Sequence, residues 1–450
     1  MHRTSSAIVA RIAHRPRIAS LAVAGLLAAA AATAPAAARD PIVIEVTGEP
    51  DTVVVSGSDL LDILEDAIES RGAFAGFDGT AFTASAAVGG VSDVIRVAVN
   101  AAGTSATLEF PLTGFSRTFT GANTDEIQEQ IEDFIEDDGA DEYALVVEAL
   151  NERSVMAVVD GNPGSATARI GRATFRRWGL SPYWAPGLTV SGTEAQDDDS
   201  FRFSLDPGAE VLDRDGFDSV AGTLGASATW ALNDAVGLSL SGLAVYEEVE
   251  DASLFQGGIE LALPITLLGV RGDEVRDPNA DVDGNGAADG GAPGVRADTA
   301  PPVRLQLTPY AGYGLGGSVD LGQGASFWSL GVAASAAMEV GPVTLSGGAA
   351  ITHFGGVDLS YDDYEFETEI DQQLLTVGGL ASWHLGDGVS VSGGVSWSQY
   401  LQDAAIDDWI SPEVGVTFGG PRFQARVGWI GTFGDDVDGH AGQVGLHWRF

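Results

Sequence analysis

Two stretches carry side-chain oxygens at a spacing that suits a hard cation. In the first, Asp277, Asn279, Asp281, Asp283, Asn285 and Asp289 alternate with small residues, and Gly284 and Gly286 stand where the chain would bend. Ca2+ takes many oxygen ligands in loose geometry, and alternate carboxylates on a turning loop supply them. Ala292 stands in the twelfth place from Asp281, where a two-oxygen carboxylate would complete such a set. The stretch predicts weakly bound Ca2+ at most, beside the plainer reading of an Asp/Gly-rich loop. The second stretch runs from Asp358 to Asp371, with Tyr361, Tyr364 and Phe366 between the acids. It reads as a solvated hairpin, or as a site for divalent ions bridging to anionic head groups. Nucleophilic chemistry has little support. His384 lies two residues from Ser382 and His353 has no acid or base near it in a known arrangement. There is no phosphate-cradling glycine loop, no nucleophile elbow and no cysteine. No cofactor and no catalytic residue is expected.

What must position these residues is a run of strands. At the C-terminus Val444, Leu446, Trp448 and Phe450 fall on one face, and Gln443, Gly445, His447 and Arg449 on the other. The same period of two begins at Phe201 and recurs in twelve segments, each long enough to cross a bilayer at a tilt. One face of each segment carries Val, Leu, Ala, Trp and Phe; the other carries Ser, Thr, Gly and Gln. Gly341-Pro342, Gly386-Asp387-Gly388 and Gly419-Gly420-Pro421 read as tight turns on one side. The connections 213–218, 247–253, 316–323, 355–373, 402–409 and 434–442 read as longer loops on the other. The connection 268–302 is long yet belongs to the tight-turn side.

The last eight residues resemble the C-terminal insertion signal of bacterial outer-membrane β-barrels, carried by Gln443, Gly445, Trp448 and a terminal Phe450. The resemblance implies an all-β transmembrane antiparallel barrel of about twelve strands over 200–450, or fourteen if 166–199 adds a hairpin. It also implies two partners, outer-membrane lipid and the barrel assembly machinery. A structural or passive-transport role is the leading expectation. An N-terminal segment ahead of a twelve-stranded barrel also resembles an autotransporter with a short passenger. An outer-membrane enzyme is a third reading.

Charge refines the picture. Glu413, Arg422, Arg426 and His447 read inward on the closing strands, as do Arg202, Asp206 and Glu210 on the first, which predicts a seam of lumen ion pairs. No Lys or Arg lies between Arg304 and Arg422, so the middle wall offers only acids and neutral groups and should favour cations.

Upstream, Arg3, Arg11, Arg15 and Arg17 precede an Ala/Leu-rich run, and Ala36-Ala37-Ala38 offers a cleavage site. Residues 1–38 read as a secretory signal peptide. Residues 40–165 read as a small soluble α+β domain, with helices near Ser58–Ile68, Thr124–Asp137 and Ala140–Arg153. It is expected in the periplasm, or outside the cell if the chain is autotransporter-like. Residues 166–199, with the run Gln196-Asp197-Asp198-Asp199, read as a linker or extra hairpin. The chain has 450 residues and a net charge of −42, with Arg as its only strong base. Such an acidic chain excludes nucleic acid as a partner.

Overall fold

Alternating burial organises the first domain. In β1 (Ile42–Gly48) Ile42, Ile44 and Val46 are buried and the residues between them are not, so one face of the strand makes a core. β1 pairs antiparallel with β2 (Thr52–Gly57) and with β3 (Phe82–Val88). β4 (Val91–Val99), β5 (Ser105–Phe110) and β6 (Phe115–Thr120) extend the sheet in the order β2-β1-β3-β4-β5-β6. Helix α1 (Thr124–Asp133) is capped by Asn123, which accepts the Glu126 N–H at 2.9 Å, while Glu126 accepts the Ala122 N–H at 2.7 Å. It buries Ile127 against β5 and β6, and Phe134 stacks on Phe115 at 5.5 Å. The domain is therefore mostly sheet, not the α+β unit that the helical spacing suggested. Strand pairing claims most of the apolar residues.

The structure, a computed structural model, describes residues 40–48, 52–57, 80–134, parts of 139–152, 153–180, 201–233, 235–250, 252–268, 303–318, 321, 323–357, 359–361, 364–366, 370–386, 388–420 and 422–450. The expected signal peptide, the helix near Ser58–Ile68 and the Asp277–Asp289 motif lie outside the described residues.

Helix α2 (Ala166–Trp178) follows, and then the barrel. Its strands are β7 (Phe201–Arg214), β8 (Phe217–Ala231), β9 (Gly237–Val249), β10 (Ala252–Ala262), β12 (Arg304–Ser318), β13 (Gln323–Val340) and β14 (Val343–Val357). β17 (Asp371–Gly386), β18 (Val389–Tyr400), β19 (Asp408–Gly419), β20 (Phe423–Gly434) and β21 (Val437–Arg449) complete it. A short β11 (Ile265–Leu268) carries on from β10 after Pro264, whose missing N–H interrupts the ladder, and pairs with β12. The hairpin β15 (Leu359–Tyr361) and β16 (Tyr364–Phe366) sits in the connection after β14. Each barrel strand pairs antiparallel with its neighbours, and the ring closes where β21 pairs with β7, Trp448 opposite Phe203 and Val437 opposite Arg214. The result is a closed twelve-stranded barrel. Residues 166–178 add a helix rather than a hairpin, so the fourteen-strand alternative falls.

The loop lengths differ from expectation. Strands run past the expected ends, up to 18 residues in β13. Connections read as long loops at 213–218, 247–253 and 434–442 contract to tight turns, with Asp215, Gly216, Glu250 and Asp436 at positive φ. Asp215-Gly216 is the dipeptide that a tight hairpin turn prefers, because both central residues need φ > 0. The longer connections on that side are 358–370 and 401–407. We call this side the loop end, and the side holding Phe201, Phe450 and the 341–342 turn the turn end.

Candidate functional site: a helix locked in the barrel lumen

The barrel inverts the polarity of a soluble protein. Leu224, Leu240, Ile259, Leu330, Val395 and Val414 are exposed on its outside. Ser227, Thr229, Ser241, Thr308, Ser335, Thr352 and Ser398 are buried within. At the turn end Phe201 and Phe450 rings lie 5.8 Å apart, Phe203 and Trp448 5.7 Å, and Phe423 and Trp448 5.4 Å. Tyr246 and Phe255 pair at 5.0 Å near the loop end. A closed ring, an apolar outside and aromatic residues towards both rims meet the demands of a bilayer, where an open sheet edge cannot exist. This is an outer-membrane β-barrel. Trp448 and Phe450 belong to its aromatic rim, and the Phe450 N–H donates to the Phe201 carbonyl at 3.0 Å. Gly445 faces inward, where an added Cβ would lie 2.9 Å from Asp206 and 3.0 Å from His447.

The lumen holds α2. Ser165 caps it, and Arg176 and Arg177 fill its last turn, where cations offset the partial negative charge of the helix end. Its apolar side meets β10, β12, β13, β14 and β17. Ile170 faces Gly258 and Gly314, and Gly171 lies so near Leu374 that an added Cβ would sit 2.4 Å from its Cδ2. Phe175 and Trp178 pack with Ala262, Tyr310, Ala333 and Ala350. The Trp178 indole N–H donates to Glu260 at 3.0 Å, and the Thr174 hydroxyl donates to the same carboxylate.

The opposite side of α2 carries Arg169, Arg172 and Arg176, spaced to share one helical face. Arg169 donates from Nε to Glu210 at 3.1 Å and from Nη1 to Glu247 at 2.8 Å and Gln256 at 2.9 Å. Arg214 donates to the other oxygen of Glu247 at 2.8 Å. Arg172 donates to Glu210 at 3.0 Å. Nearer the turn end Arg176 donates to Glu413 at 3.2 Å and also to Gln443, and Arg426 donates to the second Glu413 oxygen at 3.2 Å. The two carboxylates facing the upper helix, Glu210 and Glu247, are thus matched by three guanidiniums, of which Arg169 and Arg214 are buried.

Of the residues expected to form a lumen seam, Glu413 and Arg426 meet directly, and Glu413 also accepts from Arg176 of the helix. His447 lies 4.0 Å from Asp206, not from Glu413. Arg422 is exposed, and its carbonyl accepts the Arg449 N–H at 3.0 Å. Sequence reading overlooked the arginines of α2 and the upper acid Glu247. Arg at positions 169, 172 and 176 after a Ser cap was a visible sign of an amphipathic helix with a basic face. These arginines also alter the lumen charge that the wall alone led us to expect. His384 contacts Thr344 at 3.0 Å rather than Ser382. His353 lies 3.6 Å from Asp371 and beside Trp328.

The loop end of the lumen is shut. Residues 154–165 lie between the N-terminal sheet and the upper barrel. The Ser154 hydroxyl donates to the Gly89 carbonyl at 3.0 Å, Gly90 faces the Phe217 ring, and Gln256 donates to the carbonyls of Val158 and Gly164 at 3.0 and 2.9 Å. One apolar core runs from Ile44 and Leu108 through Met156 and Val159 to Leu212, Leu254, Phe327, Phe354 and Trp409. Asp160 is buried here and accepts from Thr167 at 2.6 Å. Burial pushes its carboxyl up to about 6, and the bonds from Thr167, the Gly161 N–H and Tyr400 offset only part of that.

No family model and no curated protein matches the chain. Among solved structures, the translocator domain of autotransporter NalP from Neisseria meningitidis is similar, at 12% identity and a TM-score of 0.37, over 63% of this chain and 95% of that one. The β domain of the Bordetella autotransporter BrkA aligns at 11% identity and TM-score 0.36, over 56% of this chain and 100% of that one. An outer membrane channel from Pseudomonas putida F1 aligns at 11% identity and TM-score 0.37, over 58% and 100%.

Proposed function

We propose that this barrel carries and holds its own N-terminal sheet domain on the outer face of the membrane, in the manner of an autotransporter with a small, retained passenger. The observation that supports this is the path of the chain. It leaves the sheet domain at the loop end, descends the lumen as α2, and re-enters as β7 from the turn end. In outer-membrane barrels of even strand number, both termini of the ring lie on the periplasmic side. By that rule the sheet domain is extracellular, which favours the autotransporter reading over a periplasmic domain beside an open channel. The passenger is not loose. A continuous core ties it to the rim, so the reading is of display rather than release.

The test uses the absence of cysteine. Ser116 is exposed on β6 and Pro342 is exposed in a turn between barrel strands. On intact cells a membrane-impermeant maleimide should label Ser116→Cys and spare Pro342→Cys until the outer membrane is permeabilised. The reverse pattern would place the sheet domain in the periplasm and refute the proposal.

A further inference from the structure

A cavity of about 830 Å³ remains in the lumen beside α2, reaching the turn end at Gly388, Gly419 and Gly420. The sheet domain closes the other end, so this is a blind vestibule rather than a through pore. Its charge is not that of the acidic chain as a whole. Seven arginines line it, Arg169, Arg172, Arg176 and Arg177 from α2 and Arg202, Arg426 and Arg449 from the wall. Four acids oppose them, Asp206, Glu210, Glu260 and Glu413. The acids are engaged: Glu210 by Arg169 and Arg172, Glu413 by Arg176 and Arg426, Glu260 by Trp178 and Thr174, and Asp206 lies near His447. Arg177 has no ion pair among the described residues. Arg177, half-buried in the wall of the cavity, therefore brings a guanidinium that no described carboxylate answers. A planar guanidinium fork fits a carboxylate or phosphate in two-pronged fashion.

The wall opposite the helix has a second character. Ser382, Ser390, Ser392, Ser396, Ser411 and Thr417 bring hydroxyls from β17, β18 and β19 to the same space. Hydroxyls donate and accept, so they match a polyhydroxylated body rather than an apolar one. The volume suits a small organic molecule better than a bare ion.

We propose that the turn-end vestibule binds small polyhydroxylated anions carrying a phosphate or carboxylate, with Arg177 and its neighbours on the acidic group and the serine wall on the hydroxyls. The probe is glucose 6-phosphate, titrated by calorimetry into the full-length folded protein in a zwitterionic detergent at low salt. Glucose and inorganic phosphate serve as half-ligands. Saturable binding of glucose 6-phosphate is expected, at least tenfold tighter than either half, weakened at least tenfold by Arg177→Gln. Arg177 makes no described ion pair, so this variant should keep the heat-modifiable folded form. Should it not, competition of glucose 6-phosphate by excess phosphate in the unmodified protein reads the same charge contribution. Equal binding of glucose, or no saturable binding of glucose 6-phosphate at millimolar concentration, overturns the proposal. So does binding that appears only in a variant with Asp197, Asp198 and Asp199 changed to Asn, because the chain would then supply its own anion. The maleimide pattern above is indifferent to all of these outcomes.

Discussion

Two ion-pair networks hold α2, one towards each end of the lumen, and they are built from the same groups in different solvent. At the loop end the side chains of Arg169, Arg214, Glu210 and Glu247 are between 0% and 6% exposed. At the turn end Glu413 is 5% exposed, but its partners Arg176 and Arg426 are 25% and 28% exposed. Distances differ little between the two. What differs is the consequence of losing one member. In the dry network, loss of Glu247 leaves Arg214 with only the Asn162 amide and Arg169 with Glu210 alone among carboxylates, both shielded from water. In the wet one the guanidiniums rehydrate. Short ion-pair distances alone therefore say little about strength; access to water decides it.

The largest effect should follow from Glu247→Ala. It leaves Arg169 and Arg214 without their shared carboxylate, a change that costs about 3–5 kcal/mol when a buried pair is broken. Urea unfolding of the protein in detergent should show a stability lowered by that amount, nearly independent of salt. An effect under about 1 kcal/mol would mean that water reaches this end, and the contrast would collapse.

Next in size is the pH response of the same dry region. Asp160 has a folded pKa of about 6 against an ordinary 3.8. The folded state therefore holds its proton more tightly than the unfolded chain. Stability from this group is full below about pH 4, falls as pH rises towards 6, and is lost above it. Asp160→Asn should raise stability at pH 7 by at most about 3 kcal/mol, since each tenfold change in proton affinity is worth about 1.4 kcal/mol, and should change nothing at pH 4. The difference in urea midpoint between the two pH values is the measurement, and an equal change at both would remove ionisation as the cause.

The smallest effect belongs to Glu413→Ala. A half-wet network should lose only about 1 kcal/mol, and the loss should shrink as salt rises, because screening already weakens the pairs. A salt-insensitive loss as large as that of Glu247→Ala would show that both ends are equally dry.

The sequence made some of this legible. Apolar alternation from Phe201 onwards sets the barrel, because a face towards lipid and a face towards a polar lumen each impose a period of two. Phe203 and Trp448 at the seam, and the meeting of Glu413 with Arg426, follow from that register. The loops were overread, because polar residues such as Asp213 and Asp218 looked like loop residues although they pair across a tight Asp-Gly turn. The plug was missed for a different reason. Its basic face was visible in Arg169, Arg172 and Arg176, but its partners Glu210, Glu247 and Glu413 lie on strands scattered along the chain. Nothing local says that they surround one axis; only barrel closure does.

That closure has a mechanical side. The hydrogen bonds that shut the ring join β7 to β21, so the helix inside cannot leave sideways without unzipping a seam spanning the whole barrel sequence. Nor can it slip towards the turn end, for the folded sheet above the rim is joined to its upper end. The chain is threaded through itself like a rod through a collar with a stop on one side. A pull on the sheet domain would travel down 154–165 into α2 and be borne first by Arg169 and Arg172 in shear against Glu210 and Glu247. The lipid anchor would feel it only after those pairs gave way.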